Sequence, residues 1–219
     1  MNAIELFAGA GSMALGVERA GFRHITLVEF DANACETLRL NRPHWPVREA
    51  DVRDLNFTEY VGIDLLTGGA PCQPFSTRGK RRLSKDPRNM FPEVLRAIRK
   101  VRPRALLLEN VSGIRKGKAL DDFDAIVGRI GQFGYEVHWR LVNCADYGVP
   151  QRRERIFIVG FRRELGVHWT WPMPTHGLDA FLYSQWGDSS YWREHEIPEP
   201  DRIPLSHRSA WPSGTSSPG

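Results

Sequence analysis

Short apolar runs alternate with longer segments of helical periodicity over most of this chain, and this alternation restricts the fold more than any other feature. The apolar runs of strand length are residues 3–7, 24–30, 62–68, 104–110, 135–143 and 155–161. The helix-periodic segments between them are residues 12–20, 32–41, 90–101 and 120–133. Strands joined by crossover helices predict an α/β, Rossmann-like fold, with a mostly parallel sheet and helices on both faces. Ligands of such folds bind at the carboxyl ends of the strands.

Length and composition limit the protein class. With 219 residues and 41% hydrophobic content, the chain can build one sizeable α/β domain. Cys35, Cys72 and Cys144 are widely spaced, so we expect neither a disulfide framework nor a metal site. The N-terminus lacks the pattern of a signal peptide, and no run approaches the roughly 20 apolar residues of a membrane helix. These features predict a cytoplasmic protein without a membrane partner.

A glycine-rich stretch, FAGAGSMALG, follows the first apolar run and opens the first helix-periodic segment. Gly9, Gly11 and Ala14 have the GxGxxG/A spacing with which a backbone turn approaches a dinucleotide or adenosyl ligand. Glu29 ends the second strand, where a carboxylate that binds ribose hydroxyls is expected. Asp51 is placed to meet an adenine edge, or else is an ordinary loop acid or helix cap. A nicotinamide-dependent dehydrogenase and an adenosyl-dependent methyltransferase would both use this pattern.

The stretch GGAPCQPFS places Cys72 between two prolines at the end of a predicted strand. Regular structure is disfavoured on both sides, so the thiol is presented at the sheet edge rather than packed in an element. A basic neighbourhood would raise the fraction of reactive thiolate. Alternatively, Cys72 is a structural cysteine, and the basic stretch that follows it is a solvated surface loop. The nearby cations are Arg78, Lys80, Arg81, Arg82, Lys85 and Arg88.

Two further polar groups lie at strand ends. Glu109 ends the very apolar run RALLLEN, where a carboxyl is partly withdrawn from water, as suits a proton donor. Alternatively, Glu109 caps the segment that follows. Gln151, Arg153 and Arg155 alternate in QRRER, so they would project from one face of an extended segment towards an anion or a carbonyl oxygen. The alternative is surface decoration at a strand entrance.

Taken in order, these segments resemble the cytosine-5 DNA methyltransferases. The resemblance rests on ELFAGAGSMALGVERAGF, VE, AD, GGAPCQPFS, LLLENV and GVPQRRERIFIVG, and it extends to PMPTH at residues 172–176. It implies an S-adenosylmethionine-dependent methyltransferase fold, in which Glu29 binds the ribose hydroxyls, Phe30 packs on the adenine and Asp51 accepts the adenine amino group. The cofactor-binding residues that it implies are Phe7, Ala8, Gly9, Gly11, Ser12, Glu29, Phe30, Asp51, Val52 and Pro71.

The resemblance also assigns catalytic and DNA-binding residues. Cys72 would add to the 6-carbon of a cytosine flipped out of the duplex, which activates the 5-carbon for methylation. Glu109 would donate to ring nitrogen 3, and Arg155, helped by Arg153, would bind the ring carbonyl. The basic stretch would clamp phosphates of double-stranded DNA. The nucleic-acid-binding residues so implied are Gln73, Ser76, Arg78, Lys80, Arg81, Arg82, Lys85 and Gln151.

Complete members of that family continue into a variable recognition region and a last conserved strand and helix. We therefore predict that residues 1–171 form the catalytic domain and that residues 172–219 begin the variable region, irregular or partly disordered. A second polypeptide would supply the rest, and the enzyme would belong to a restriction-modification system. The alternatives are a truncated fragment, a silent remnant that binds cofactor or nucleic acid, and a tRNA cytosine-5 methyltransferase.

Overall fold

A computed structural model describes residues 1–71, 89–115 and 119–177. Within these ranges the chain forms a seven-stranded sheet and four α-helices. The strands are β1 (Asn2–Leu6), β2 (Arg23–Glu29), β3 (Val47–Glu49), β4 (Leu65–Gly68), β5 (Ala105–Val111), β6 (Tyr135–Asn143) and β7 (Glu154–Arg162). The helices are α1 (Ser12–Arg19), α2 (Ala32–Asn41), α3 (Phe91–Val101) and α4 (Ala119–Gln132).

The sheet has the order β3-β2-β1-β4-β5-β7-β6. All neighbours from β3 to β5 run parallel, whereas β7 is antiparallel to both β5 and β6. The prediction of a mostly parallel α/β sheet is therefore confirmed. Strand β3 was missed, because its residues are half-buried or exposed and leave no apolar run in the sequence.

Side-chain alternation along the parallel strands places helices on both faces. On one face, Ala3 of β1 packs with Val17 of α1. On the other face, Ile4 packs in a larger core with Ile98 of α3 and Phe123 of α4. Because successive strand residues point to opposite sides, one short strand contributes to both cores. None of the helices in the described ranges has the length and apolar character that a membrane crossing requires.

The described residues belong to two compact units. The first comprises Met1–Asn143 and Arg153–Trp171 and holds the sheet; the second comprises Cys144–Arg152 and the chain from Pro172. In the second unit, the N–H groups of Thr175 and His176 both donate to the carbonyl of Asp146 at 2.9 Å. The division of the chain into a catalytic domain and a variable region stays a prediction.

Glu5 is a carboxyl group buried in the middle of β1, only 1% exposed. The hydroxyl of Thr67 in β4 donates to its Oε2 at 3.1 Å, and Ala14 in α1 makes a backbone hydrogen bond to it. Loss of hydration outweighs these hydrogen bonds and raises the pKa of Glu5 to about 7. The residue thus links two strands and a helix with a group that holds its proton near neutral pH.

We predict that Glu5 makes the protein less stable as the pH rises from about 4.5 to about 7. The unfolded chain releases this proton first, so ionisation favours unfolding by up to about 3 kcal/mol across the shift. Glu5→Gln should remove this dependence, and its free energy of unfolding should exceed that of wild type at pH 8 by about 2–3 kcal/mol. Urea denaturation at pH 4.5 and 8 measures both. Exposed Glu36→Gln is the control, and equal pH profiles for wild type and Glu5→Gln would contradict the prediction.

Candidate active site

The loop between β1 and α1 has an unusual backbone. Phe7, Gly9 and Gly11 all have positive φ, at 58°, 53° and 88°. The N–H of Gly11 donates to the carbonyl of Ala8 at 2.9 Å, which closes a tight turn before α1 begins. A non-glycine residue such as Phe7 adopts this conformation only when its surroundings hold it there. The loop is therefore fixed by its contacts.

The carboxylate of Glu29 supplies one of those contacts. Its Oε2 accepts the N–H of Gly9 at 2.7 Å. Its Oε1 accepts the N–H groups of Phe30 and Asp31 at 2.7 and 2.9 Å. One side chain thus joins the glycine loop to the end of β2. Hydrogen bonds from backbone N–H groups to a charged acceptor are among the stronger ones in proteins, so this carboxylate is held in a single orientation.

Asp51 begins the 3₁₀ turn Val52–Asp54 and caps it by accepting the N–H of Arg53 at 2.9 Å. The Arg53 guanidinium also grips both carboxylate oxygens, with Nε at 2.9 and 3.0 Å. The hydrogen bonds from Arg53 hold the pKa of Asp51 below its ordinary value. Asp51 is consequently a fixed, ionised acceptor. The alternative interpretation of Asp51 as a cap is therefore correct, and its carboxylate also lines the cleft.

A cleft of about 480 Å³ opens beside these two carboxylates. Its lining combines apolar side chains with Glu29, Asp51 and Arg53. Phe30 is 72% exposed at its wall, so the face of its ring is open to contact with a ligand. The lining residues are Phe7, Val28, Glu29, Phe30, Ala50, Asp51, Val52, Arg53, Pro71 and Met90. An apolar slot with a few placed carboxylates suits an adenosine-like ligand.

The sequence predicted six of these lining residues, namely Phe7, Glu29, Phe30, Asp51, Val52 and Pro71. It missed the other four, which are Val28, Ala50, Arg53 and Met90. The stretch ADVRD held the only signal for Arg53, which lies two residues after Asp51. Met90 precedes α3 and reaches the cleft only through the packing of that helix.

Four other predicted cofactor residues occupy different surroundings. Ala8 is buried in a core with Leu27 and Leu38, and Ser12 begins α1. A Cβ on Gly11 would lie 2.6 Å from Leu38 and 2.8 Å from Trp45, whereas a Cβ on Gly9 would meet nothing within 4 Å. For Gly11 the sequence suggested close approach to a ligand, but among the described residues the close neighbours are α2 and the chain after it. A contact between these four residues and a cofactor stays a prediction.

Glu109 and Arg155 meet at the same edge of the sheet. The Nε of Arg155 lies 2.7 Å from Oε1 of Glu109, and their side chains are 20% and 22% exposed. The pairing follows from strand direction, because Arg155 near the start of β7 is opposite Val111 near the end of β5. The second oxygen of Glu109 faces Gly69, where a Cβ would lie 3.3 Å away. The glycine leaves that oxygen room to meet a ligand.

Asn110 connects this edge to the segment that leads to Cys72. Its Nδ2 donates to the carbonyl of Ala70 at 3.2 Å, and the side chain is almost fully buried. The next residue, Pro71, lines the cleft. The backbone immediately before Cys72 is thus anchored between the cleft and the Glu109–Arg155 pair. The predicted residues outside the described ranges are Cys72, Gln73, Ser76, Arg78, Lys80, Arg81, Arg82 and Lys85.

The sequence predicted that Gln151, Arg153 and Arg155 project together, and the structure shows a different position for each of them. Arg153 precedes β7, and its backbone N–H donates to Oδ1 of Asn143 at 3.2 Å. Its side chain is exposed. Gln151 belongs to the second unit. Of this group, Arg155 forms an ion pair with Glu109, and the roles of Arg153 and Gln151 stay predictions.

Comparison with known proteins shows the family of this chain. The model of the C-5 cytosine-specific DNA methylase family matches residues 1–201. The chain belongs to this family. Its members are methyltransferases, which sets the glycine loop and the two acids apart from the dehydrogenase alternative.

Curated relatives extend beyond this chain. The Type II methyltransferase M.NgoMIV of Neisseria gonorrhoeae is 42% identical over 88% of this chain and 64% of its own length. M.Eco47II of Escherichia coli is 44% identical, but only 42% of its length is matched. M.AquIA of Picosynechococcus is 43% identical, with 76% of its length matched. The chain therefore spans between about two fifths and three quarters of these relatives.

Solved structures show the same fold. An Escherichia coli prophage protein assigned as a DNA modification methyltransferase superposes with a TM-score of 0.68 at 31% identity. That match covers 78% of this chain and 49% of the other. The Dnmt2 methyltransferase of S. pombe gives a TM-score of 0.61 at 21% identity, over 78% and 51% of the two chains, which supports the fold alone.

We predict opposite effects for alanine at two glycines of the loop and helix. Gly11→Ala should lower the free energy of unfolding by about 2–4 kcal/mol, because the added methyl group would collide with Leu38 and Trp45 at a positive φ. Gly16→Ala, inside α1 and facing open space, should raise it by about 0.5–1 kcal/mol. Denaturant unfolding of both variants measures the difference, and a neutral Gly11→Ala would show that the loop is not tightly packed.

Proposed function

We propose that this chain is the catalytic part of an enzyme that transfers a methyl group from S-adenosylmethionine to the 5-carbon of cytosine in DNA. One observation carries the proposal: in a member of this family, the cleft with Glu29 and Asp51 and the Glu109–Arg155 pair lie in one compact unit, and Pro71 and Asn110 connect them. The carboxyl ends of parallel strands bring a donor site and an acceptor site to the same edge.

The cleft suits the proposed donor. S-adenosylmethionine would supply an electrophilic methyl group on a sulfonium. Exposed Phe30 would stack on the adenine, and ionised Asp51 would accept its amino group. Glu29 accepts three backbone N–H groups, so the one lone-pair site left, on Oε2, would receive a ribose hydroxyl in a fixed geometry. The volume of about 480 Å³ matches pockets that enclose ligands of this size.

The chemistry on cytosine would use the neighbouring edge. The Cys72 thiolate would add to the 6-carbon, and the electron density so displaced would make the 5-carbon nucleophilic. Glu109 would donate a proton to ring nitrogen 3, while Arg155 would hold the Glu109 carboxyl and bind the ring carbonyl. The 5-carbon would take the methyl group, which leaves S-adenosylhomocysteine. Water would then remove the 5-carbon proton, the cysteine would depart as thiolate, and the ring-nitrogen proton would return to Glu109, which releases 5-methylcytosine.

The proposed substrate is double-stranded DNA, and membership in a DNA methylase family supports DNA as the substrate. The cations between residues 78 and 88 would contact phosphates while the target base is flipped out. We further propose that a second polypeptide supplies target recognition and that the enzyme acts in the cytoplasm within a restriction-modification system. The matched region spans 76% of M.AquIA, so that relative is itself not much longer than this chain.

A methyl-transfer assay tests the activity. Wild-type chain, alone and with the product of the adjacent reading frame, is incubated with radiolabelled S-adenosylmethionine and cytosine-containing DNA or tRNA. We expect label in DNA, on the 5-carbon, and no label with Cys72→Ser. Transfer only in the presence of the second product would establish a split enzyme. Transfer to tRNA alone would replace the DNA substrate, and no transfer under any condition would overturn the proposal.

We predict that Glu109→Gln separates chemistry from donor binding. The amide cannot deliver a carboxyl proton to the base, so the methyl-transfer rate should fall by about 10²–10⁴. Affinity for S-adenosylhomocysteine should stay within about twofold of wild type, because Glu109 does not line the described cleft. Single-turnover transfer and titration calorimetry measure the two quantities. Exposed Glu36→Gln is the matched control, and equal loss of binding and rate in Glu109→Gln would contradict this assignment.

A further inference from the structure

Arg96 connects α3 to the turn that carries Asp51. Its Nη2 donates to the carbonyls of Val52 and Arg53 at 2.7 and 3.3 Å. Its Nη1 donates to the carbonyl of Leu55 at 3.0 Å. One guanidinium therefore donates hydrogen bonds to two carbonyl groups of the 3₁₀ turn Val52–Asp54 and to the carbonyl of Leu55, which follows the turn.

The guanidinium is itself held on two sides. Its carbon lies 4.6 Å from the ring centroid of Phe57, which is almost fully buried. The Nε of Arg96 donates to Oε2 of Glu93, one turn earlier on α3, at 2.6 Å. The plane of the side chain is thus fixed before it meets the carbonyl groups. A lysine ammonium has no such planar fork and could not reach the same set of acceptors.

The turn needs this support, because its own bonds are few. Asp54 donates to the carbonyl of Asp51 at 3.1 Å, and Leu55 donates to that of Val52 at a long 3.3 Å. A single 3₁₀ turn has weak internal hydrogen bonding, so its position depends on outside contacts. Val52 and Leu55 anchor it in the core, and Arg96 satisfies its outward carbonyls.

We infer that Arg96 is a positioning residue of the donor cleft, which holds the 51–55 turn so that the Asp51 carboxylate faces the adenine amino group of the bound donor. The inference rests on the proposed donor site. Arg96 does not line the cleft, so it acts through the backbone of the turn. Its loss should weaken recognition of the adenine amino group more than it weakens the rest of the donor contacts.

The first test needs no ligand. Hydrogen exchange of the 219-residue chain is measured for wild type, Arg96→Lys and the control Arg99→Lys, which alters an exposed arginine of the same helix. We expect the amides of Arg53, Asp54 and Leu55 to exchange at least about fivefold faster in Arg96→Lys, with β1 and β4 unchanged. Unchanged exchange in the turn overturns the inference. A uniform rise across the sheet also overturns it, because that result would show a general structural role.

The second test measures selectivity for the base. Binding of S-adenosylhomocysteine is compared with that of S-inosylhomocysteine, in which a carbonyl replaces the adenine amino group. A hydrogen bond to charged Asp51 should give wild type and Arg99→Lys a preference of about tenfold or more for the adenine compound. In Arg96→Lys this ratio should fall to about twofold, whereas a general loss of structure would weaken both ligands alike.

The outcomes separate the two proposals. If wild type binds neither compound, the proposed donor site fails, and the exchange experiment still decides whether Arg96 holds the turn. If wild type binds both equally, Asp51 does not read the amino group and the inference fails while the donor site stands. If Arg96→Lys keeps the full wild-type ratio, the inference fails as well.

Discussion

The carboxylate of Glu29 joins the ends of the first two strands, and the shape of the proposed donor cleft depends on it. A glycine loop with three positive-φ residues has little preference for one conformation by itself. Glu29 fixes the loop through Gly9 and fixes the end of β2 through Phe30 and Asp31. The exposed ring of Phe30 is consequently presented at the wall of the cleft. A single half-buried carboxylate thus organises the backbone on two sides and keeps one lone-pair site of Oε2 for a ligand.

Strand direction organises the other half of the site. In a wholly parallel sheet, the start of β7 would lie at the amino edge, far from the end of β5. Because β7 is antiparallel, Arg155 near its start reaches Glu109 near the end of β5. The reversal of one strand therefore brings the Arg155 guanidinium to the edge where Ala70 and Pro71, which precede the proposed nucleophile Cys72, also lie. The proposed chemistry needs both groups on one side of a cytosine ring.

Much of this arrangement could be predicted from sequence, because the relevant signals are local. Apolar runs and helical periodicity indicated the sheet and its crossover helices, and polar residues at strand ends indicated Glu29, Asp51 and Glu109. Strand β3 escaped detection since its side chains are not buried enough to be apolar. Gly11 was interpreted through ligand approach, whereas its contacts with Leu38 and Trp45 depend on how α2 and the following residues pack.

The sequence by itself determined the fold class, the family and the identities of the acids at the strand ends, because periodicity and motif spacing are properties of neighbouring residues. Only the tertiary structure decided which distant groups meet. It placed Arg53 and Met90 in the cleft, Glu5 against Thr67 and Ala14, and Arg96 on the carbonyls of the 51–55 turn. The physical reason is that these contacts join residues from about ten to more than sixty positions apart in sequence, and only the packing of strands and helices brings such residues within hydrogen-bond distance.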